Sequence, residues 1–318
     1  MNQTADGFAV VAVREIPVEP PLDQLQNGII RKSECVILGF LVFAMVLGAS
    51  LPVTQPIRHL VTMLNLGILI GYAGLAVCAA LRPKLVFALL RDAVSMALII
   101  LAYREMGWFA QPHGNHALEV SWVTWDRAVL RGGARAVIES LGPVIPSILE
   151  VSYSLVYALA PFAVLMLYLY KRRDRVDQFL LVFAVGVLLC YGQFPFWPSD
   201  PPRVIFAGED VPRYLTVFRR FNLWTLGHYG IHTSVFPSAH VAGAFAAAFG
   251  SFRTLPERRW VGRLLLTMAC LIAIATIYGR YHYIADAGAG LAVAVVASRI
   301  TANVSDAVRG SFYNFLAM

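Results

Sequence analysis

Long runs of apolar residues recur along the chain. From Glu34 to Leu51 the sequence reads ECVILGFLVFAMVLGASL, with no charge after Glu34. Coiled as a helix, a run of about 20 residues matches the hydrocarbon thickness of a bilayer. Backbone amides in lipid have no water to bind and must be satisfied within the segment, so such runs predict transmembrane helices.

The same criterion predicts about eight transmembrane helices. Their ranges are 35–52, 59–81, 85–102, 147–170, 178–198, 237–252, 260–278 and 283–299. The third run contains Arg91 and Asp92, and the sixth is short and rich in alanine. The predicted fold class is therefore an all-α, polytopic integral membrane bundle.

Composition excludes an ordinary soluble domain. Of 318 residues, 58% are hydrophobic and only 14% are charged, whereas soluble domains carry about 25% charged residues. The four cysteines form no C-x-x-C pair, so no disulfide and no structural zinc site is expected. Residues 1–34 lack an apolar run, which predicts a cytoplasmic tail and no signal peptide.

Basic residues predict the orientation. They cluster before the first run and after the second, fourth and sixth, at Arg31–Lys32, Arg82–Lys84, Lys171–Arg175 and Arg253–Arg263. With eight spans all four clusters fall on one face, which the positive-inside rule assigns to the cytoplasm together with both termini. The chain has 26 Lys and Arg against 19 Asp and Glu. On this topology the basic excess reflects the orientation in the membrane and contacts with anionic lipid headgroups, so no nucleic-acid partner is expected. The long 103–146 segment, which includes Arg127, Arg131 and Arg135, predicts an amphipathic helix at the outer interface.

Candidate chemistry concentrates on the predicted outer face. His282 and Asp286 are spaced H-x-x-x-D at the start of a helix, which places them one turn apart on one face. A carboxylate on one imidazole nitrogen fixes the tautomer and leaves the other nitrogen free as a base or nucleophile. The alternative is a pair that only satisfies itself at the membrane boundary.

A second motif, Pro237-Ser238-Ala239-His240, opens another predicted helix. Unpaired amides and the positive dipole end favour an anion there. Ser238 adds a hydroxyl donor, Ala239 permits close approach to the backbone, and His240 can protonate a leaving oxygen. Alternatively, Ser238 is only an N-cap and His240 an interfacial residue.

Two arginines lie near these motifs. Arg203 follows Pro201-Pro202, and Arg280 precedes His282 by two residues. A guanidinium binds phosphate oxygens through a bidentate fork, although for either arginine taken alone an ordinary solvated charge is the favoured interpretation.

Other polar residues lie inside predicted spans. Arg91 and Asp92 favour a buried pairing between helices over the relay that a transporter would use. Glu150, Tyr153 and Tyr157 share one face of the fourth span and are interpreted as packing residues rather than site residues.

Taken together, P-P-R, F-P-S-A-H and G-R-Y-H-Y-x-x-D-A-x-A-G resemble the type-2 phosphatidic-acid phosphatase superfamily, over roughly residues 147–300. The branch they resemble most is that of the inositol phosphorylceramide synthases and sphingomyelin-synthase-like phosphotransferases. The resemblance implies a six-helix catalytic membrane domain at 85–300, preceded by two accessory helices at 35–84 and followed by a tail at 301–318.

The resemblance also implies residue roles. His282 is then the nucleophile, oriented by Asp286, and His240 protonates the leaving alcohol and later activates the acceptor. Arg203, Ser238 and Ala239 hold phosphate oxygens, with Arg280 as a further candidate, and no metal or other cofactor is needed. The implied partner is a membrane lipid, either a phospholipid, a sphingolipid or an isoprenoid phosphate, at the extracytoplasmic face.

This sequence departs from the phosphatase pattern in three places. Ala275-Thr276 stands where a Ser-Arg pair is usual, Ala239 replaces a glycine, and no lysine lies several residues before Arg203. These differences favour the transferase-like branch. The rival function class, a transporter or channel whose outer histidines bind protons or anions, predicts charges in several spans, and few are present.

Overall fold

The computed structural model describes residues 29–110, 114–231, 233 and 235–316, and of residues 303–316 it describes the backbone alone. Within these ranges the polypeptide folds into thirteen α-helices. None of these residues lies in a β-strand. The helices are α1 Lys32–Ser50, α2 Gln55–Leu81, α3 Leu85–Phe109, α4 Ala117–Val129, α5 Arg135–Glu139, α6 Val144–Ser154, α7 Leu159–Leu169, α8 Val176–Tyr191, α9 Pro202–Ile205, α10 Val217–Tyr229, α11 Ala239–Thr254, α12 Arg259–Tyr278 and α13 Ile284–Leu316.

Six helical stretches of the described chain are long and apolar enough to cross a bilayer. They are Lys32–Ser50, Gln55–Leu81, Leu85–Phe109, Val144–Leu169, Pro256–Tyr278 and Ile284–Ala302. The two other predicted spans correspond to α8 and α11, which are 16 residues each and lie against each other. The protein is an all-helical membrane bundle, and the number of eight spans stays a prediction.

Prolines explain where the helices depart from the predicted ranges. The run 147–170 forms two helices, α6 and α7, joined by a 3-10 turn at Leu155–Ala158. Pro161 lies just beyond this turn, and its ring clashes with the carbonyl four residues earlier. Similarly α8 ends at Tyr191 and not at 198, before Pro195 and Pro198.

The segment predicted to follow the third span is shorter than expected, because α3 continues to Phe109.

Helix α11 lies at the centre of the bundle and contacts α8, α12 and α13. Seven of its eleven buried residues are alanine or glycine, and small residues let helix backbones approach closely in membranes. The approach is tight: a Cβ added at Gly186 of α8 would lie 2.8 Å from the Ala246 Cβ. The rigid core therefore fixes where the first turn of α11, with His240, stands.

Buried ion pairs tie several helices together at one end of the bundle, called here the basic end. Arg91 Nη2 lies 2.5 Å from Glu34 Oε2, and Arg31 Nη1 lies 2.6 Å from Asp92 Oδ1. The Asp92 carboxylate also accepts from the Tyr168 hydroxyl of α7 at 2.7 Å. The prediction that Arg91 and Asp92 make a buried pairing between helices is confirmed.

Further contacts bring α8 and α11 to the same end. Asp177 at the start of α8 accepts hydrogen bonds from the Ser33 amide and hydroxyl. Arg175 donates to the Thr254 carbonyl at the end of α11 at 2.9 Å. These partners explain why α1 begins at Lys32, inside the predicted tail, whose residues 1–28 lie outside the described part of the chain. The segment predicted as a C-terminal tail continues the helix α13.

The Arg91–Glu34 pair gives a stability prediction. Arg91→Met removes two hydrogen bonds from the buried Glu34 carboxylate, which then keeps only Arg31 as its charged partner. Because a hydrogen bond to a charged group contributes about 1.5–3 kcal/mol, we expect this variant to lower the free energy of unfolding by about 1.5–3 kcal/mol. The double variant Glu34→Leu/Arg91→Met should be more stable than Arg91→Met alone. Thermal unfolding in detergent measures both, with the exposed Arg82→Met as the control. A single variant as stable as this control would contradict the prediction.

Candidate active site

His282 and Asp286 meet in the turn that joins α12 to α13. His282 Nδ1 lies 3.3 Å from Asp286 Oδ2, and the same oxygen accepts from the Tyr283 amide at 2.9 Å. Asp286 is completely buried and His282 is only 6% exposed. The predicted one-turn pairing is therefore present, and it engages Nδ1 of His282.

The turn has a tight backbone. The amides of Tyr281 and His282 both donate to the Thr276 carbonyl, at 2.9 and 3.0 Å. A Cβ added at Gly279 would lie 2.3 Å from the Tyr281 ring, so only glycine lets this ring fold back on the end of α12. The turn thus fixes the direction in which His282 points.

His240 stands beside His282 at the first turn of α11. Their ring centroids are 5.6 Å apart, and His240 Nε2 has no hydrogen-bond partner. The two histidines are therefore neighbours, although 41 residues separate them in the sequence.

Ser238 and Ala239 precede His240 and have different surroundings. Ser238 is the N-cap of α11: its Oγ accepts from the Val241 amide at 3.4 Å, and its own amide donates to the Asp286 carbonyl at 3.0 Å. Ser238 is fully buried and does not line the cavity described below, whereas Ala239 does. A phosphate contact from Ser238 stays a prediction.

The two predicted arginines differ as well. Arg203 follows the first residue of α9, and its Nη1 donates to the Tyr281 carbonyl at 3.4 Å. Burial lowers the pKa of Arg203 from its ordinary value. Arg280 is fully buried, donates from Nη1 to Asp126 Oδ2 at 2.7 Å, and does not line the cavity. The structure therefore places Arg203, and not Arg280, beside the histidines.

A cavity of about 120 Å³ opens in front of the two histidines. Arg203, His240 and His282 line it, together with Ala239. Its other lining residues are mostly apolar and aromatic and come from α3, the Leu155–Ala158 turn, α8 and α11, including Ile99, Ile100, Tyr103, Tyr157, Phe183, Val187, Tyr191 and Gly243. The arrangement fits a ligand with one anionic end and one apolar end.

Glu150 organises a polar group behind this cavity that sequence reasoning did not assign to the site. Its carboxylate accepts from the Tyr281 hydroxyl at 2.6 Å, from Asn222 at 2.7 Å and from Arg219 at 2.9 Å. A buried carboxylate is costly unless it is satisfied in this way. The Arg219 guanidinium carbon also lies 5.6 Å from the Tyr281 ring centroid, which brings a further positive charge near the site.

Aromatic rings connect Glu150 to His240. Tyr281 stacks on Tyr153 at 4.3 Å between centroids, and Tyr153 stacks on His240 at 4.9 Å. The interpretation of Tyr153 and Tyr157 as packing residues only is wrong, since both line the cavity. The spacing of Glu150 and Tyr153 on one helix face was visible in the sequence, but their partner Tyr281 was not.

Electrostatics favour a neutral His282. Burial is the largest effect and the nearby Arg203 guanidinium adds to it, so that the pKa of His282 falls from 6.5 to about 3. A neutral imidazole with one nitrogen on a carboxylate keeps a lone pair on the other nitrogen.

No group of three or more His, Cys, Asp and Glu side chains that would hold a metal occurs in the described ranges.

The lowered pKa of His282 gives a prediction for NMR. We expect the His282 imidazole to stay neutral at pH 5, where an ordinary histidine is charged, in spectra of histidine-labelled protein assigned by comparison with His282→Ala. Because the pKa is lower in the folded state, protonation favours unfolding, and stability should fall as pH drops from 6.5 towards 3. A His282 signal that titrates near 6.5 would contradict the prediction.

Comparisons with known proteins identify similar sequences. A family model described as the PAP2 superfamily matches residues 133–300. A PA-phosphatase related-family protein of Dictyostelium discoideum is 29% identical over 126 residues, which are 38% of this chain and 21% of that protein. The match thus spans about a fifth of the relative's length. No solved structure matches the chain.

The matched range includes every cavity-lining residue named above except those of α3. Its range extends upstream of the 147–300 region over which the motifs carry the resemblance. Because residues 133–300 are more than half of the 318-residue chain, the protein belongs to the PAP2 superfamily, a family of phosphatase-type enzymes.

Proposed function

We propose that this protein is a membrane-embedded lipid phosphatase or phosphotransferase that works through a phosphohistidine at His282. The observation that carries the proposal is the convergence of His282, His240 and Arg203 on one cavity, with His282 Nδ1 on Asp286. Phosphoryl transfer mainly requires positioning and positive charge around the phosphate oxygens, and these residues supply both.

In the first step, Nε2 of His282 attacks the phosphorus of the lipid. A P–N bond forms as the bond to the leaving alcohol breaks, and His240 gives that alcohol its proton. Asp286 stabilises the charge that develops on His282. Arg203 binds the equatorial oxygens of the phosphate. Because the bound phosphate is negatively charged, it favours the protonated form of His240, which is the form that can give a proton to the leaving alcohol.

In the second step, the roles of His240 reverse. Having lost its proton, it takes one from an acceptor hydroxyl, whose oxygen attacks phosphorus and breaks the P–N bond. Water as acceptor gives a phosphatase, and a lipid or polyol hydroxyl gives a transferase. We infer the transferase-like branch from Ala239 and from Ala275-Thr276, the positions where the chain departs from the phosphatase pattern.

The apolar walls of the cavity support a lipid substrate. Ile100 of α3 and Tyr157 line the cavity and are also 55% and 53% exposed. We infer from this exposure that the cavity opens to the apolar exterior of the bundle between these two residues. A lipid chain can lie there while its phosphate stays at the histidines.

The position of the site along the bundle supports the extracytoplasmic face. The motifs lie at the start of α11 and α13 and after α8, whereas the basic end lies at the opposite ends of α8 and α11. With the basic end in the cytoplasm, as the positive-inside rule expects, the site faces outward.

Turnover of labelled lipids tests the mechanism. We expect purified protein in detergent to release phosphate, or to transfer the headgroup, from phosphatidic acid, phosphatidylinositol or a polyprenyl diphosphate, with ceramide or diacylglycerol supplied as acceptor. His282→Ala should abolish turnover because it removes the nucleophile, and EDTA should have no effect. Label bound to wild-type protein should be stable in base and labile in acid, as phosphohistidine is.

The matched control is His59→Ala, an exposed histidine on α2, which should retain full turnover. Turnover that persists in His282→Ala would eliminate this residue as the nucleophile. The product distinguishes the two reaction classes: free phosphate identifies a phosphatase, and a modified acceptor lipid identifies a transferase.

The lateral opening predicts chain selectivity. We expect Ile100→Trp to narrow the opening and to lower kcat/KM for long-chain lipids roughly tenfold or more, since overpacking costs about 1–3 kcal/mol. Short-chain lipids should be affected less. The control is Leu89→Trp on the same helix, exposed and away from the cavity. An equal loss for long and short chains would contradict the assignment.

A further inference from the structure

Helix α4 buries a polar face against the segments that form the site, while its opposite side is exposed. Glu119 and Asp126 are 1% and 0% exposed, and Val123 between them is also buried. Together with Trp122 they recur at positions i, i+3, i+4 and i+7, which form one helix face. Carboxylates are almost never fully buried without partners, so this face needs an explanation beyond amphipathic packing at the interface.

The buried face of α4 contacts all three segments that form the site. Glu119 Oε1 accepts from the Asp200 amide at 3.1 Å, three residues before Arg203. The Trp122 ring stacks on Phe236 at 5.2 Å, four residues before His240. The same ring meets Tyr283, next to His282, at 5.6 Å.

Asp126 makes the most specific of these contacts. Its Oδ2 accepts from Arg280 Nη1 at 2.7 Å, and its Oδ1 accepts from the Ile284 amide at 2.9 Å. The two partners lie on either side of His282, two residues away in each direction. One carboxylate therefore holds both ends of the five-residue turn that carries the proposed nucleophile.

This turn is strained and needs such support. Arg280 has φ of 62°, in the left-handed region that a non-glycine residue adopts only at a cost of about 1–2 kcal/mol. Such conformations persist when the surroundings determine them. The Arg280 carbonyl in turn accepts from the Arg203 amide at 3.2 Å, so the geometry of the turn also affects the placement of Arg203.

We propose that α4 is a positioning element of the active site and that Asp126 sets the orientation of His282 by holding Arg280 and the Ile284 amide. The inference rests on the proposed function of His282. Asp126 does not touch the substrate cavity, so its effect reaches the reaction through the turn. Its loss should slow the chemical step without weakening lipid binding.

The test compares Asp126→Asn with the wild type on phosphatidic acid, or on whichever lipid of the panel turns over fastest. Asparagine keeps the size but leaves one acceptor oxygen where two are used. Because displacement of a reacting group by about 1 Å costs up to about 100-fold in rate, we expect kcat to fall 10- to 100-fold with KM within about twofold. Formation of the labelled phosphohistidine in a single turnover should slow by the same factor.

Two other variants make the result decisive. Arg127→Gln, on the same helix but paired with Glu209 and Asp210 away from the turn, should keep wild-type kcat. Trp122→Leu should lower kcat in the same direction as Asp126→Asn, and it replaces that variant if Asp126→Asn fails to fold.

The outcomes separate the two proposals. Wild-type kcat in both Asp126→Asn and Trp122→Leu, with His282→Ala inactive, overturns the role of α4 and leaves the proposed function intact. A rise in KM at unchanged kcat overturns it too, because it assigns the Asp126–Arg280 pair to substrate binding. Full turnover in His282→Ala overturns the proposed function first.

Discussion

The close approach of α13 to the start of α11 is the constraint on which the site depends. A Cβ added at Gly290 would lie 2.4 Å from the Ser238 carbonyl oxygen, so no other residue fits there without moving a helix. This contact brings the Ser238 amide to the Asp286 carbonyl at 3.0 Å. The first turns of both helices are thereby joined, and His240 and His282, one on each side of the contact, meet over the same cavity.

Buried ion pairs hold the helices together at both ends of the bundle. At the basic end, Arg91 and Glu34 neutralise each other inside apolar helices. At the site end, Glu150 pairs with Arg219, and Asp126 pairs with Nη1 of Arg280. Nε2 of His240, like Nε and Nη2 of Arg280, is buried without a hydrogen-bond partner. Such an atom is destabilising in a structural position. His240, unlike Arg280, lines the cavity, where a ligand can supply the missing partner.

Much of the fold and part of the site could be predicted from the sequence, and the reasons are physical. Apolar runs of bilayer length identify helices such as α2 without any tertiary information, and the H-x-x-x-D spacing of His282 and Asp286 is local to one turn. Contacts between distant segments were out of reach. The sequence shows which helix face carries Glu150 but not that Tyr281 is its partner. It also places Arg280 near His282, but it does not show that the Arg280 guanidinium is bound by Asp126, which lies 154 residues earlier.

The same difficulty explains why α4 looked like a surface helix. Its exposed positions include Leu118, Val120 and Trp125, so both of its faces carry apolar residues and the pattern fits an interfacial helix. The distinguishing signal is the pair of carboxylates, Glu119 and Asp126, seven residues apart on the face that also holds Trp122 and Val123. Acidic residues on the apolar face of a helix are costly unless each meets a donor. Here the donors are the Asp200 and Ile284 amides and the Arg280 guanidinium, all in the motif segments. The two carboxylates would destabilise α4 as an isolated amphipathic helix, but their hydrogen bonds fix its position against the site.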